Sequence, residues 1–296
     1  MICHQFATHR SSVGALPATT PEAQSGLNHR RVGAGEPLLL VHPTWRAWLP
    51  VIPALSARHD VVSIDLPGFG GSAPLPHGVA SSVPTLAAAV EEQLDLLGWE
   101  TAHVAGNSLG GWVALELARR GRARTVVAIA PIGLGTDREN RRTRRRLRLV
   151  HVMGPAARPF VRPLARTIIG RTLLASAGMQ LARPWRHEPA EMVSALEQFW
   201  LAPGFSETFD WALTNRAEGL EQIRSPVTIA WGTRDLIAPS RQVDRFARRI
   251  PQAQVRMLKG LGHDAMVDDS VVVAGAILQA TAAGSREQLQ LPGRRR

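Results

Sequence analysis

Apolar residues along this chain fall into two alternating rhythms. Short continuous runs such as LLLVH (38–42) suit strands buried on both faces, the habit of parallel sheets covered by helices. VVSIDLPG (61–68) is a second such strand running into a turn, and WLPVIPALSA between the two has helical spacing with a proline near a helix start or kink. PTLAAAVEEQLDLL (84–97) reads as an amphipathic helix, with Ser81 or Ser82 to cap it and Pro84 in its first turn. A strand at 102–107, a helix at 109–120 and a strand at 124–130 follow.

The rhythm stops near Pro131 and resumes at PVTIAWG (226–232), after which a helix at 240–249, a strand at 254–258 and a helix at 269–282 complete it. Strands alternating with helices predict an α/β fold with a mostly parallel central sheet flanked by helices. Residues 132–222 are rich in Arg and Pro, have helical spacing and no strand pattern, and are predicted to form an inserted helical cap. The expected organisation is a flexible leader over 1–26, a core over 27–131 and 223–283 interrupted by that cap, and a disordered tail over 284–296.

Charge changes this picture little. The 35 basic and 24 acidic residues give a formal charge of +11, which on its own suggests a nucleic acid or an anionic surface as partner. Lys259 is the only lysine and tyrosine is absent, so the excess is an overall arginine preference, and no zinc-finger spacing or RNP-type strand accompanies it. No nucleic-acid partner is expected. The densest run, RENRRTRRRLRL (138–149), reads as a solvated face of a cap helix, the alternative being a binding face for an acidic substrate, partner or lipid surface. Phe199, Trp200, Phe205, Phe209 and Trp211 cluster in the cap, some to line an apolar pocket and others to pack it.

Cys3 is the sole cysteine, which excludes an intramolecular disulfide and a cysteine metal cluster. No cofactor and no metal are expected. The first residues lack the apolar core of a signal peptide, and no apolar run approaches the roughly 18 residues of a membrane span. The expectation is a cytoplasmic protein without stable membrane insertion, in which an exposed apolar cap would suit a homodimer.

HVAGNSLGGW (103–112) is where chemistry enters, because Gly106, Gly110 and Gly111 surround Ser108 between a predicted strand and a predicted helix. A serine on a strand-to-helix turn too sharp for neighbouring Cβ atoms holds its hydroxyl above the sheet, with backbone N–H groups of the helix start aimed at a developing anion. Serine needs a base, and the base an orienting acid. WGTRDLIAP and LKGLGHDAMVDD place Asp235 and His263 just after two later strands, on the rim where Ser108 sits. Arg234 offers Asp235 a competing surface ion pair, and Asp264 is too close to His263 in sequence to orient it.

LLLVH, IDLPGFGGS, GNSLGGW, WGTRD and GLGH together resemble the α/β-hydrolase fold family over roughly residues 27–283. The resemblance implies Ser108 as nucleophile, His263 as general base, Asp235 as its orienting acid and the N–H of Leu109 as one oxyanion donor. The family usually has His-Gly after the strand at 38–42, where this chain has His42-Pro43-Thr44-Trp45, and Thr44 is the candidate second donor. Asp65 and His42 are expected to fix loop backbone rather than to react. The implied activity is hydrolysis of an ester, thioester or related acyl bond of a hydrophobic small molecule through an acyl-enzyme. Carbon–carbon bond hydrolysis on the same triad, or ligand binding with negligible turnover, are the alternatives. A serine at the elbow argues against relatives that need aspartate there, such as haloalkane dehalogenases and epoxide hydrolases.

Overall fold

Leu38, Leu39, Leu40 and Val41 are wholly buried, and successive side chains point to opposite sides. Leu39 and Val41 enter one hydrophobic cluster, Leu38 and Leu40 the other. That division is the fold in miniature: a sheet with an apolar core on each face. The computed structural model describes residues 26–176 and 181–290.

Seven strands, β1 (His29–Val32), β2 (Glu36–His42), β3 (His59–Asp65), β4 (Ala102–Asn107), β5 (Ala123–Ile129), β6 (Val227–Gly232) and β7 (Gln254–Leu258), lie in the order β1-β3-β2-β4-β5-β6-β7. β1 is antiparallel to β3 and every other pairing is parallel. Helices α1 (Ile52–Ser56), α2 (Val83–Leu96), α3 (Leu109–Arg119), α8 (Val243–Arg249), α9 (Ala265–Asp268) and α10 (Ser270–Gln290) belong to this core. Val83, Leu86, Val90 and Leu94 of α2 pack with α3 and α8 on one face, while Ile52 and Leu55 of α1 and Val273 and Ile277 of α10 cover the other.

Several boundaries differ from the sequence expectation. HRRV forms β1 at a sheet edge, where backbone pairing and an Arg31–Asp60 ion pair of 2.6 Å do the work that an apolar run does inside the sheet. β3 ends at Asp65, because Pro67 and Gly68 (φ 78°) cannot continue a ladder. WLPVIPALSA (48–57) is helical only over the short α1, its first residue closing a 3-10 turn, Trp45–Trp48, that precedes it. The last helix reaches Gln290, so residues 284–290, read from sequence as tail, continue α10; Arg, Glu, Gln and Leu there favour helix, with no proline before Pro292. The rest of that tail (291–296), and the leader up to residue 25, lie outside the described residues.

The helical insertion leaves the sheet after β5 and returns at β6. It contains α4 (Asp137–Ala165), α5 (Ile168–Leu174), α6 (Pro189–Leu201) and α7 (Phe205–Thr214), and no strand among its described residues. Thr136 starts α4 with a reciprocal cap: its side chain accepts from the Glu139 N–H at 3.3 Å, and Glu139 accepts from the Thr136 N–H at 2.8 Å. The insertion has a small core of its own around Val161, Met192, Leu196 and Trp200. Polar contacts fasten it to the sheet domain. Glu139 pairs with Arg241 and Arg245 at 2.6 Å each, and the Thr143 hydroxyl donates to the Ile237 carbonyl at 3.0 Å.

Candidate active site

β4 ends at Asn107 and α3 begins at Leu109, so Ser108 alone makes the turn, at φ 55° and ψ −117°. A non-glycine residue with positive φ is strained, and such strain persists only where the surroundings enforce it. Here the enforcement is backbone on backbone. A Cβ on Gly106 would lie 2.1 Å from the Gly110 carbonyl oxygen, and one on Gly110 would lie 2.0 Å from that of Val41. Gly111 is less constrained, its Cβ position being 3.1 Å from Pro131. The glycines around Ser108 therefore let α3 press onto β2 and β4. Ser108 donates its N–H to the Ile129 carbonyl at 2.9 Å, which ties the turn to β5.

Asp235 follows β6 and His263 follows β7, and the two meet: His263 Nδ1 lies 2.7 Å from Asp235 Oδ2. The other carboxylate oxygen accepts from the N–H groups of Ile237 and Ala238 at 2.8 and 2.9 Å. Both oxygens are thus committed, and no ion pair with Arg234 forms. Burial disfavours the His263 imidazolium, but the charge and hydrogen bond of Asp235 and the nearby charge of Asp264 outweigh it, so its pKa is raised.

The link between this pair and the elbow is Asn107. Its side-chain NH₂ donates to the His263 carbonyl at 3.0 Å and to the Ile129 carbonyl at 3.3 Å, holding the histidine loop against the residue before the serine. Asn107 carries no catalytic motif role of its own, although an amide closing a buried strand is the signal that would find it.

Asp268 was equally hidden, within the DD pair at the end of LKGLGHDAMVDD. It accepts the Gly262 N–H at 2.7 Å, next to His263, and also the N–H groups of Ala182 and Arg183 in the insertion at 2.9 and 3.1 Å. One buried carboxylate thereby clasps the insertion to the histidine loop. Burial alone would raise its pKa, but His187 and those N–H donors overcome it and hold it below the usual carboxylate value. Asp264, by contrast, has no hydrogen-bonding side-chain partner among the described residues. Burial drives its carboxyl up to about 6, against the pull of His263 and with the repulsion of Asp268 and Asp235.

Leu109 N–H lies in the first turn of α3, where a helix has no internal acceptor to offer. Thr44 is less free. Its N–H donates to His42 Nδ1 at 3.3 Å, Trp45 N–H is taken by Asp65 at 2.6 Å, and Pro43 has none. Burial pushes His42 down to about 4, with the Thr44 carbonyl opposing and His263 adding to the effect. The loop-fixing role of Asp65 is evident: its carboxylate also accepts from Asn28 and Gly71, at 2.6 and 2.8 Å.

The five aromatics of the insertion chiefly pack. Phe205 is buried, stacked on His151 at 4.3 Å, edge-on to Phe199 and tilted against Phe209, while Trp211 lies 5.7 Å from Trp112 of α3 and Trp200 sits in the insertion's own core. A cavity of about 340 Å³ opens instead beside the 42–45 loop, lined by Asn28, Trp45, Arg46, Ser194 and Gln198 among others. Among the described residues no group of three or more His, Cys, Asp or Glu could hold a metal ion.

Comparison with known proteins places this geometry in context. A family model described as the alpha/beta hydrolase fold matches residues 34–270. The chain is 35% identical over 202 residues to epoxide hydrolase EphH of Mycobacterium tuberculosis, covering 63% of this chain and 89% of that one. It is 26% identical over 257 residues to a 2-hydroxy-6-oxo-2,4-heptadienoate hydrolase of Pseudomonas putida, covering 82% and 88%. Among solved structures, a thermophilic esterase from Thermogutta terrifontis superposes with a TM-score of 0.68 at 23% identity, over 87% of this chain and 93% of that one.

Proposed function

The chain belongs to the α/β hydrolase fold family, and from that premise we propose that it is a serine hydrolase cleaving an ester, thioester or related acyl bond of a small molecule. The observation that carries this reading is the strained Ser108, at φ 55°, on the same rim as the 2.7 Å His263–Asp235 pair. His263 takes the proton of Ser108 as its oxygen attacks the carbonyl carbon, and Asp235 holds the imidazole tautomer and stabilises the imidazolium. The oxyanion is met by Leu109 N–H, and by Thr44 N–H once it leaves the His42 ring. Water activated by His263 then releases the acyl group. A hydrophobic small molecule is the substrate that the apolar and aromatic composition of the insertion supports.

Serine also bears on which relatives are informative. Opening an epoxide with a serine oxygen would leave an ether, which water and a histidine do not cleave, whereas a carboxylate nucleophile leaves a hydrolysable ester. The epoxide-hydrolase likeness is therefore read as one of fold and not of substrate. Carbon–carbon bond hydrolysis on the same three residues is the second reading, favoured by the likeness to the Pseudomonas putida dienoate hydrolase.

The test is intact-mass analysis after exposure to a fluorophosphonate, on the wild type, Ser108→Ala and His263→Ala. The expected result is one adduct on Ser108, absent from both variants. No adduct on folded wild-type protein would overturn the reading and favour a ligand-binding protein whose Thr44 N–H stays with His42.

A further inference from the structure

From residue 140 to residue 187 the chain contains twelve arginines and no aspartate or glutamate. In the fold this stretch supplies α4, α5 and the segment leading to α6. α4 has two apolar faces. Leu147, Gly154, Val161 and Ala165 are buried at a spacing of seven, seven and four, and the helix presses so closely onto α6 that a Cβ on Gly154 would meet the Trp200 ring. Residues 149, 152, 153, 160 and 164 recur at helical spacing on the opposite side, and that side faces water.

Exposure there is extreme for such side chains. Val152 is 74% exposed, Phe160 65%, Ile168 62% and Ile169 76%, with Met153 and Leu173 at 58% and 59%. Isolated exposed apolar residues need no explanation, but a continuous strip along two consecutive helices does. Arg141, Arg142 and Arg145 extend the strip toward the start of α4, and Arg162 and Arg166 flank its far end. All five are exposed and make no ion pair with another described residue.

We propose that this outer face of α4 and α5 docks the protein on an anionic lipid bilayer, in the plane of the interface. The apolar side chains enter the headgroup–acyl boundary and the arginines reach lipid phosphates beside them. Charge argues for that occupant over a second copy of the chain. A symmetric contact would bring two carboxylate-free, arginine-flanked surfaces together, whereas an anionic leaflet supplies the missing negative charge. Binding of this kind needs no spanning segment, and no helix among the described residues is long and apolar enough to be one. The inference is independent of the triad.

Vesicle co-sedimentation of the full chain tests it, with phosphatidylcholine alone and with phosphatidylcholine containing phosphatidylglycerol. Binding is expected only to the mixed vesicles, and it should weaken between about 0.1 M and about 1 M salt, as the Debye length falls from about 10 Å to about 3 Å. Replacing Arg141, Arg142 and Arg145 by Gln together should lower the partition coefficient roughly 100-fold, at about fivefold per arginine. Phe160→Ser with Ile169→Ser should lower it roughly tenfold or more. Thermal melts of both variants should match the wild type, since every altered side chain is exposed. Failure to bind the mixed vesicles would overturn the proposal. So would binding indifferent to the Phe160 and Ile169 changes, which is adsorption to any polyanion. A dimer seen by sedimentation velocity, abolished by those two changes in a protein that ignores vesicles, would assign the face to self-association instead.

Discussion

The elbow and the helical insertion are held in place by opposite means. Around Ser108 the contacts are made by backbone: glycines let Gly110 approach the Val41 carbonyl and Gly106 approach Gly110, and nothing flexible separates them. The insertion is fastened by side chains, through Glu139 to Arg241 and Arg245 and through Asp268 to the N–H groups of Ala182 and Arg183. Backbone contacts cannot yield by changing rotamer, whereas charged clasps can be weakened by pH, salt or a competing water. The proposed nucleophile thus sits on a part of the molecule that cannot relax, while the insertion is a part that can.

The severest way to probe the contrast is Gly110→Ala. Its Cβ would be 2.0 Å from the Val41 oxygen, so α3 must shift. We expect a loss of about 3 kcal/mol or more in denaturant unfolding, together with loss of fluorophosphonate labelling. The same change at Gly275 in α10, with open space around it, should be neutral or gain up to about 1 kcal/mol. Equal effects at the two sites would remove the distinction drawn here.

Asp268→Asn attacks the clasp instead. It turns an acceptor oxygen into a donor among N–H groups, at a cost of about 1.5–3 kcal/mol. Amide exchange should accelerate at Ala182 and Arg183 while β4 stays protected, and KM should rise more than kcat falls. Uniform acceleration across β4 would show that the insertion and sheet open as one unit.

Proton linkage provides the finest probe, because two neighbouring carboxyls have opposite signs. Asp268 is depressed on folding, so its contribution is present above the unfolded value of about 4 and is lost as pH falls through the lower folded value. Asp264 is raised to about 6, so its contribution is present below about 4 and is lost as pH rises through 6. Asp264→Asn should therefore abolish a decline in stability between about pH 4 and 6. The same variant removes a charge that favours imidazolium. With His263 as the proposed general base, which must be neutral to act, the acidic limb of kcat/KM should stand above the ordinary histidine value of about 6.5 in the wild type and move down in Asp264→Asn.

Legibility in the sequence divides along similar lines. Buried strands declare themselves by unbroken apolar runs, and the elbow by glycines that have no other reason to be there. β1 was not legible because HRRV earns its place by edge pairing, which leaves no hydrophobic period. The His263–Asp235 contact was inferable from loop position after two strands. The Asp268 clasp was not, since its partners are main-chain N–H groups and every residue but proline has one. The occupied Thr44 N–H was hidden for the same reason, although Pro43 marked the loop as unusual.

The insertion departs from β5 and re-enters at β6, and those strands are hydrogen-bonded neighbours: Ala130 N–H reaches the Ala230 carbonyl at 2.8 Å, and Val126 N–H the Pro226 carbonyl at 2.9 Å. Its two ends are held side by side by the sheet, whatever the packing of its own helices. In polymer terms the closure entropy of such an excursion grows only with the logarithm of its length, about 0.6 kcal/mol per doubling. A long covering segment thus burdens folding little more than a short one. The same gap could accept helices of other lengths and surfaces without disturbing the turn at Ser108, which makes β5 and β6 a socket and the insertion an exchangeable fitting.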